Sequence, residues 1–369
     1  MMAGQPLFPE PASPRVGPLG YVEAPVRWFK TSTRPQAVAS RAAVNAWYAE
    51  FPDDPGRKLA KRLRSSDGVA HFGALDELYV HHLLRRRFDD VRYEEDGKGP
   101  DFRVYERGVC VAAVEVLSLF EPPDWAAPQT RHGRIADQLN KAVKPTAGYF
   151  VRFEVIRGQR DPSPKAFARF IENELEQLPP PEQVPHQASP HRAWAHWPRA
   201  IYREESGTQI AVTFIPMKPE APSRTNPDAR LASSNAFTGG IVLTAQRLKE
   251  RVREKAGGRY DITGIPYAVV AGIHDFPDEE EIIAGIFGRT CPQGRDNTGL
   301  FGIDSERPDG RYRRLSAVIA LTGLPLWDTA AHDVALLPNP HATHPWPLDA
   351  IPARNLAPEY ENRPAEPAP

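Results

Sequence analysis

Apolar positions along the 369-residue chain switch repeatedly between a helical and a strand-like spacing. "AVASRAAVNAWYAE" (37–50) has helical composition, and the basic "GRKLAKRLRSSD" (57–68) predicts a short helix. In "ALDELYVHHLLRRRF" (74–88), Leu75, Leu78, Tyr79, Leu83 and Phe88 fall on one stripe, with Glu77 beside it. "VRYEE" (91–95), "DFRVYE" (101–106) and "VCVAAVEVLSLF" (109–120) are rich in β-branched and aromatic residues and predict three strands. A basic amphipathic helix (131–144), a strand (148–156) and a helix entered through Ser163-Pro164 (163–178) follow. The later pattern is a hairpin within 199–217 turning at Glu205 to Gly207, a helix (243–257), an apolar strand (265–273), a helix (278–288) and a strand (314–324). Continuous apolar runs such as 266–273 suit a sheet covered on both faces. The fold class is therefore mixed α/β, a central mixed sheet flanked by helices, with the two halves of the chain sharing one sheet.

Composition changes this picture mainly through proline. The 40 prolines, about twice an ordinary share of roughly 5%, gather in 5–35, in 179–198 and from 338 onward. The expected organisation is a poorly ordered tail (1–35), a core (36–178), a linker (179–198), an α/β elaboration packed on that core (199–352) and a disordered tail (353–369). Two cysteines, Cys110 and Cys291, exclude a disulfide framework and point to a reducing cytoplasm. No run is long and apolar enough for a membrane span, and the first thirty residues lack a signal-peptide core. The net charge of −1 gives no global case for a nucleic-acid partner, which must rest on local clusters.

Candidate chemistry begins with a carboxylate in an apolar strand, Glu115, and an acid after Gly-Pro, Asp101. With a three-residue loop at Glu106, Arg107 and Gly108, Tyr105 would face Val109 and Asp101 would face Ala113. Asp101, Arg103, Ala113, Glu115 and Leu117 would then share one face, with Asp101 and Glu115 diagonal neighbours roughly 7 to 8 Å apart. A two-residue loop would turn Glu115 to the opposite face. Two apposed acids in an apolar strand are costly unless each is paired or holds a metal. Mg²⁺ or Mn²⁺, which take oxygen ligands and keep several waters, suit such a platform. Bland alternatives stay open: Asp101 as a turn residue, and Glu115 in an ion pair with Arg103 or Arg134.

The helix bearing Glu77, the "GPDF" bearing Asp101 and the strand ending in "VEVL" with Glu115 resemble the restriction-endonuclease-like, or PD-(D/E)xK, nuclease superfamily over residues 70–160. The resemblance implies a nuclease core in which Asp101 and Glu115 hold Mg²⁺ and Glu77 assists, acting on DNA in bacterial defence or repair. Its lysine two residues after the second acid is here Leu117, so the cation must come from elsewhere or the chain is a silent relative that binds or assembles. Lys141 is the first substitute, with Gln138 one turn before it; Lys144 and Lys98 are further choices, and Arg103 would contact a phosphate. For DNA, Arg247, Arg251 and Lys255 would line one ridge of the 243–257 helix, and 57–64 is a second basic segment. A partner protein or a homodimer would be compatible with either reading. His81 and His82 are read as core-edge and surface residues, and "HATH" (341–344) lacks a third ligand for zinc. No Walker loop, dinucleotide fingerprint, nucleophile elbow or kinase signature is present.

Overall fold

The structure is a computed structural model. It describes residues 6–17, 19–51, 54, 57–95, 99–120, 123–143, 148–184, 197–217, 232–234, 244–256, 260, 262–274, 278–291, 294–296, 298–302, 312–322 and 333–356. In chain order come helices α1 (Pro25–Thr31), α2 (Pro35–Ala49), α3 (Lys58–Leu63) and α4 (Gly68–Arg85), then strands β1 (Asp90–Tyr93), β2 (Phe102–Glu106) and β3 (Val109–Leu119). Next are α5 (Pro123–Ala142), β4 (Tyr149–Arg157), α6 (Pro164–Gln177), β5 (Arg199–Arg203), β6 (Gln209–Pro216) and β7 (Ala232–Ser234). The chain continues with α7 (Thr244–Ala256), β8 (Tyr267–Ile273), α8 (Glu279–Phe287), β9 (Thr290–Cys291), β10 (Gly294–Arg295), β11 (Ala317–Thr322), β12 (Asp333–Pro338) and β13 (Arg354–Asn355).

These elements form two compact units, one comprising 1–10, 35–120 and 241–369, the other 11–34 and 121–240. The first unit holds a seven-stranded mixed sheet in the order β1-β2-β3-β8-β11-β12-β13. Its antiparallel meander β1-β2-β3 is followed by β8 parallel to β3 and β11 parallel to β8. Every residue of β8 is buried, as its unbroken apolar run predicts for a central parallel strand. One face packs Leu117, Val269 and Ala271 against Leu248 and Val252 of α7 and Ile282 and Ile286 of α8. Helix α4 covers β3 and β8 from the other face: Ser118 and Gly272 lie against its Asp76. Asp67 begins α4 by accepting from the Val69 N–H, which is why the helix starts before its apolar stripe does.

The second unit has its own four-stranded sheet, β5-β6-β4-β7, with α5 and α6 on one face. Its core joins Ile135 and Leu139 of α5 and Phe167 and Ile171 of α6 to Val151, Phe153, Val212 and Phe214. Ser163 caps α6 and Pro164 occupies its first turn, as the Ser-Pro pair predicts.

The shared sheet is thus real, but the expected boundaries are not. The strands of 90–119 join those of 267–355, whereas 121–240, including the hairpin of 199–216, is a separate body inserted between β3 and α7. Within 1–35, the expected tail, Leu7 and Phe8 are buried in the first unit, and Val26, Trp28 and Phe29 in the second. Asn45 fixes the former by accepting from the Phe8 N–H and donating to its carbonyl. Much of the expected linker (185–196) and of the C-terminal tail (357–369) lies outside the described residues, while β13 within 353–356 pairs with β12.

Candidate functional site

The β2-β3 hairpin turns through two residues, with Glu106 opposite Val109 and Gly108 at a positive φ of 77°. Without compensation this loop would send Glu115 to the face opposite Asp101. A bulge corrects it: Val104 pairs with Ala112 but Tyr105 with Cys110, so Val111 is the extra residue. Arg103 faces Ala113 and Phe102 faces Val114, and one further step in that register sets Asp101 opposite Glu115. The shared face is as expected; its cause is the bulge rather than a three-residue loop. Asp101 is fixed where β2 begins, accepting the Val116 N–H at 2.6 Å.

Glu115 is 2% exposed. Its Oε1 pairs with Lys255 Nζ and accepts from the Tyr260 hydroxyl at 3.0 Å. Its Oε2 is buried with no hydrogen-bond partner among the described residues, a costly state for half of a carboxylate. Burial and then the neighbouring Glu115 and Glu77 push the Asp101 carboxyl up to about 8, against the pull of the Val116 N–H and of Lys255. Glu77, on α4, is held on both oxygens: Arg62 donates to Oε2 at 2.9 Å and lies 2.8 Å from Oε1, and the Tyr93 hydroxyl donates to Oε2 at 2.8 Å. Burial, followed by Glu77, raises the Tyr93 hydroxyl, which stays a proton donor. The site is therefore a row of acids, Glu77, Asp101 and Glu115, bracketed by Arg62 and Lys255.

Lys255 was read as a DNA contact, yet it is the lysine at the acids. Leu248 and Val252 point α7 into the core over Leu117, and Lys255, three residues beyond Val252, comes next on that inward stripe. The signal was present in the spacing, hidden because a lysine on a basic helix reads as solvated. Arg62, in the predicted basic segment, and Tyr93 and Tyr260 carried no comparable signal. Lys141, the first substitute cation, is exposed on α5 and Gln138 half-buried there; both belong to the second unit, whereas the acids and Lys255 belong to the first. Lys98 and Lys144 lie outside the described residues. Arg103 is half-buried on β2, on the face of Asp101. Arg134 pairs with Asp161, not with Glu115.

The ridge on α7 disperses: Arg247 donates to the Phe120 carbonyl, Arg251 pairs with Glu254 at 2.7 Å, and Lys255 turns inward. His81 is fully buried, deeper than a core edge, and His82 is half-buried and stacked on Trp47.

Among the described residues no three His, Cys, Asp or Glu side chains are grouped to hold a metal. What fits a cation is the pair Asp101 and Glu115, with the orphaned Oε2, and Mg²⁺ commonly takes only one or two carboxylates and completes its shell with waters and phosphate. No described helix is long and apolar enough to cross a membrane. No protein-family model, curated protein or solved structure matches the chain, so the chemistry of these side chains carries the functional argument.

Proposed function

We propose that the chain is a divergent PD-(D/E)xK nuclease that hydrolyses DNA phosphodiesters with Mg²⁺ or Mn²⁺ held by Asp101 and Glu115. The observation that carries this is the buried Oε2 of Glu115, without a partner among the described residues, on a strand facing an acid whose ionisation is opposed. A bound divalent ion would lower the cost of both charges, polarise a phosphate oxygen and acidify a water. Lys255 takes the role of the missing lysine at Leu117: it neutralises Glu115 and places an ammonium where the attacking water would be oriented. Glu77 acts through Arg62, which it holds beside the acids. The element order supports the same core, helix α4, meander β1-β2-β3, then α7 leading into β8 parallel to β3, the second unit being inserted before α7.

The competing reading is a silent relative serving as a binding or assembly module, favoured by the closed Glu115–Lys255 pair. One experiment separates them. Wild type and Asp101→Asn are incubated with supercoiled, linear and single-stranded DNA in Mg²⁺ or Mn²⁺, and their melting is followed with and without Mn²⁺. The nuclease reading expects cleavage by wild type only and a melting temperature that Mn²⁺ raises in wild type only. Metal-free Asp101→Asn should melt above wild type at pH 7.5, because it no longer confines a carboxylate that resists ionising. Equal cleavage by both proteins, or none by either together with no response to Mn²⁺, would leave the silent module.

A further inference from the structure

Among the described residues of the second unit, helices cover only one face of its sheet. Helices α5 and α6 cover the face carrying Val151, Phe153, Val212 and Phe214, so the alternate residues face away from them. Those positions include two exposed large apolar side chains, Phe150 (37%) and Ile201 (44%). Such clustering on one face marks an interaction surface rather than scattered surface apolarity.

The strand register arranges that face in rows. Phe150 lies beside Ile215. The next row places Arg152 and Arg199 on either side of Thr213. The row after it sets Ile201 and Glu154 about Ala211, and Arg203 follows beside Gln209. Successive rows are roughly 7 Å apart along the strands, so an apolar row with Phe150, a cationic row, a mixed row of Ile201 and Glu154 and a second cationic row follow one another. Four arginines, Arg152, Arg157, Arg199 and Arg203, stand against one glutamate on this face, although the whole chain carries a net charge of −1. Arg199 and Arg203 are exposed and make no ion pair with a described residue. A polymer presenting flat apolar groups and anions in alternation matches this surface, whereas an acidic protein surface would leave the aromatic without a flat partner. A duplex hides its base faces, so the matching form is a single strand.

We infer that the face of the second unit's sheet opposite α5 and α6 binds single-stranded DNA, a base stacking on Phe150 and backbone phosphates lying on Arg199 and Arg203. The choice of DNA rests on the nuclease reading above, and it makes single-stranded DNA, or the single-stranded part of a junction, the substrate class. Arg169, exposed on α6 on the helical side of the sheet, is the control for mere loss of charge.

The test uses the full-length chain carrying Asp101→Asn, without divalent metal, and a fluorescein-labelled 20-mer of dT read by anisotropy over a series of salt concentrations. Phe150→Ala should weaken binding about tenfold. Arg199→Gln with Arg203→Gln should lower the slope of log affinity against log salt by about 1.4, the share of two phosphates in a single strand. Arg169→Gln should change neither, circular dichroism should show every variant folded, and a duplex of the same length should bind less tightly. The inference is overturned if the 20-mer does not bind, if Arg169→Gln weakens it as much as the sheet variants, or if an RNA 20-mer binds and the DNA does not. Cleavage by the chain with native Asp101 is scored separately: binding that obeys these expectations without cleavage upholds the platform and fails the nuclease reading. Cleavage with binding indifferent to Phe150 and Arg199 does the reverse.

Discussion

At the scale of single residues, the acids were legible and their cation was not. Asp101 and Glu115 stand out because a charge within apolar β-branched residues has no cheap explanation. Lys255 does not stand out, because a lysine among Arg251, Arg253 and Glu254 on an amphipathic helix looks like any solvated face. Only the depth of α7 over Leu117 shows that the stripe of Leu248 and Val252 continues inward through it. The resulting pair has asymmetric energetics: removing one partner strands a buried charge, while removing both charges is mild. Lys255→Met alone should therefore lower unfolding stability by about 2–4 kcal/mol at pH 7. Adding Glu115→Gln should restore most of that loss, and urea unfolding of the four proteins of the double-mutant cycle reads the coupling directly. Additive effects would mean that the two side chains do not interact.

Among the elements, most of the first unit follows from pattern alone. The continuous apolar run of β8 and the stripe of α4 specify their own structures, as does the Ser-Pro entry to α6 in the second unit. The bulge in β3 does not, since nothing in "VCVAAVEV" distinguishes an unpaired Val111 from a regular strand, and Gly108 is compatible with either loop length. The domain boundaries were illegible for a different reason: the insertion respects no proline-rich linker, falling between Phe120 and Ile241. The bulge also gives a test of the register. Deleting Val111 leaves Tyr105 opposite Cys110 and Val104 opposite Ala112 in a regular ladder, so Asp101 and Glu115 keep one face. Mn²⁺ binding by calorimetry should therefore survive the deletion, whereas its loss would mean that the acids are not held by this register. Val109, 64% exposed at the turn, is the control, and Val109→Thr should leave Mn²⁺ binding and thermal melting nearly unchanged.

Across the whole molecule, two buried groups set opposing pH dependences in the first unit. His81 is fully buried, and burial, then Arg85 and His82, lower it from 6.5 to about 4. The unfolded chain takes up that proton first, so stability is lost as pH falls from 6.5 toward 4, by up to about 1.4 kcal/mol per unit. Asp101 has the opposite sign. Its folded value of about 8 lies above the ordinary 3.8, so its contribution is complete below 3.8 and is lost as pH rises toward 8. Between pH 4 and 6.5 the two slopes largely cancel. His81→Leu should uncover the Asp101 slope, giving a protein whose stability relative to wild type grows as the pH is lowered from 6.5 to 4; a constant difference across that range would remove His81 from the account. Lys255 has a consequence in time as well as in space. It lies 140 residues after Glu115, with 121–240 of the second unit between them. At ~5–20 residues per second a ribosome needs roughly 7 to 28 s after making the second acid before it can supply the ammonium, and until then the nascent chain carries its acids unneutralised by that cation. On the nuclease reading proposed above, the growing polypeptide would stay inactive until most of its length has been made.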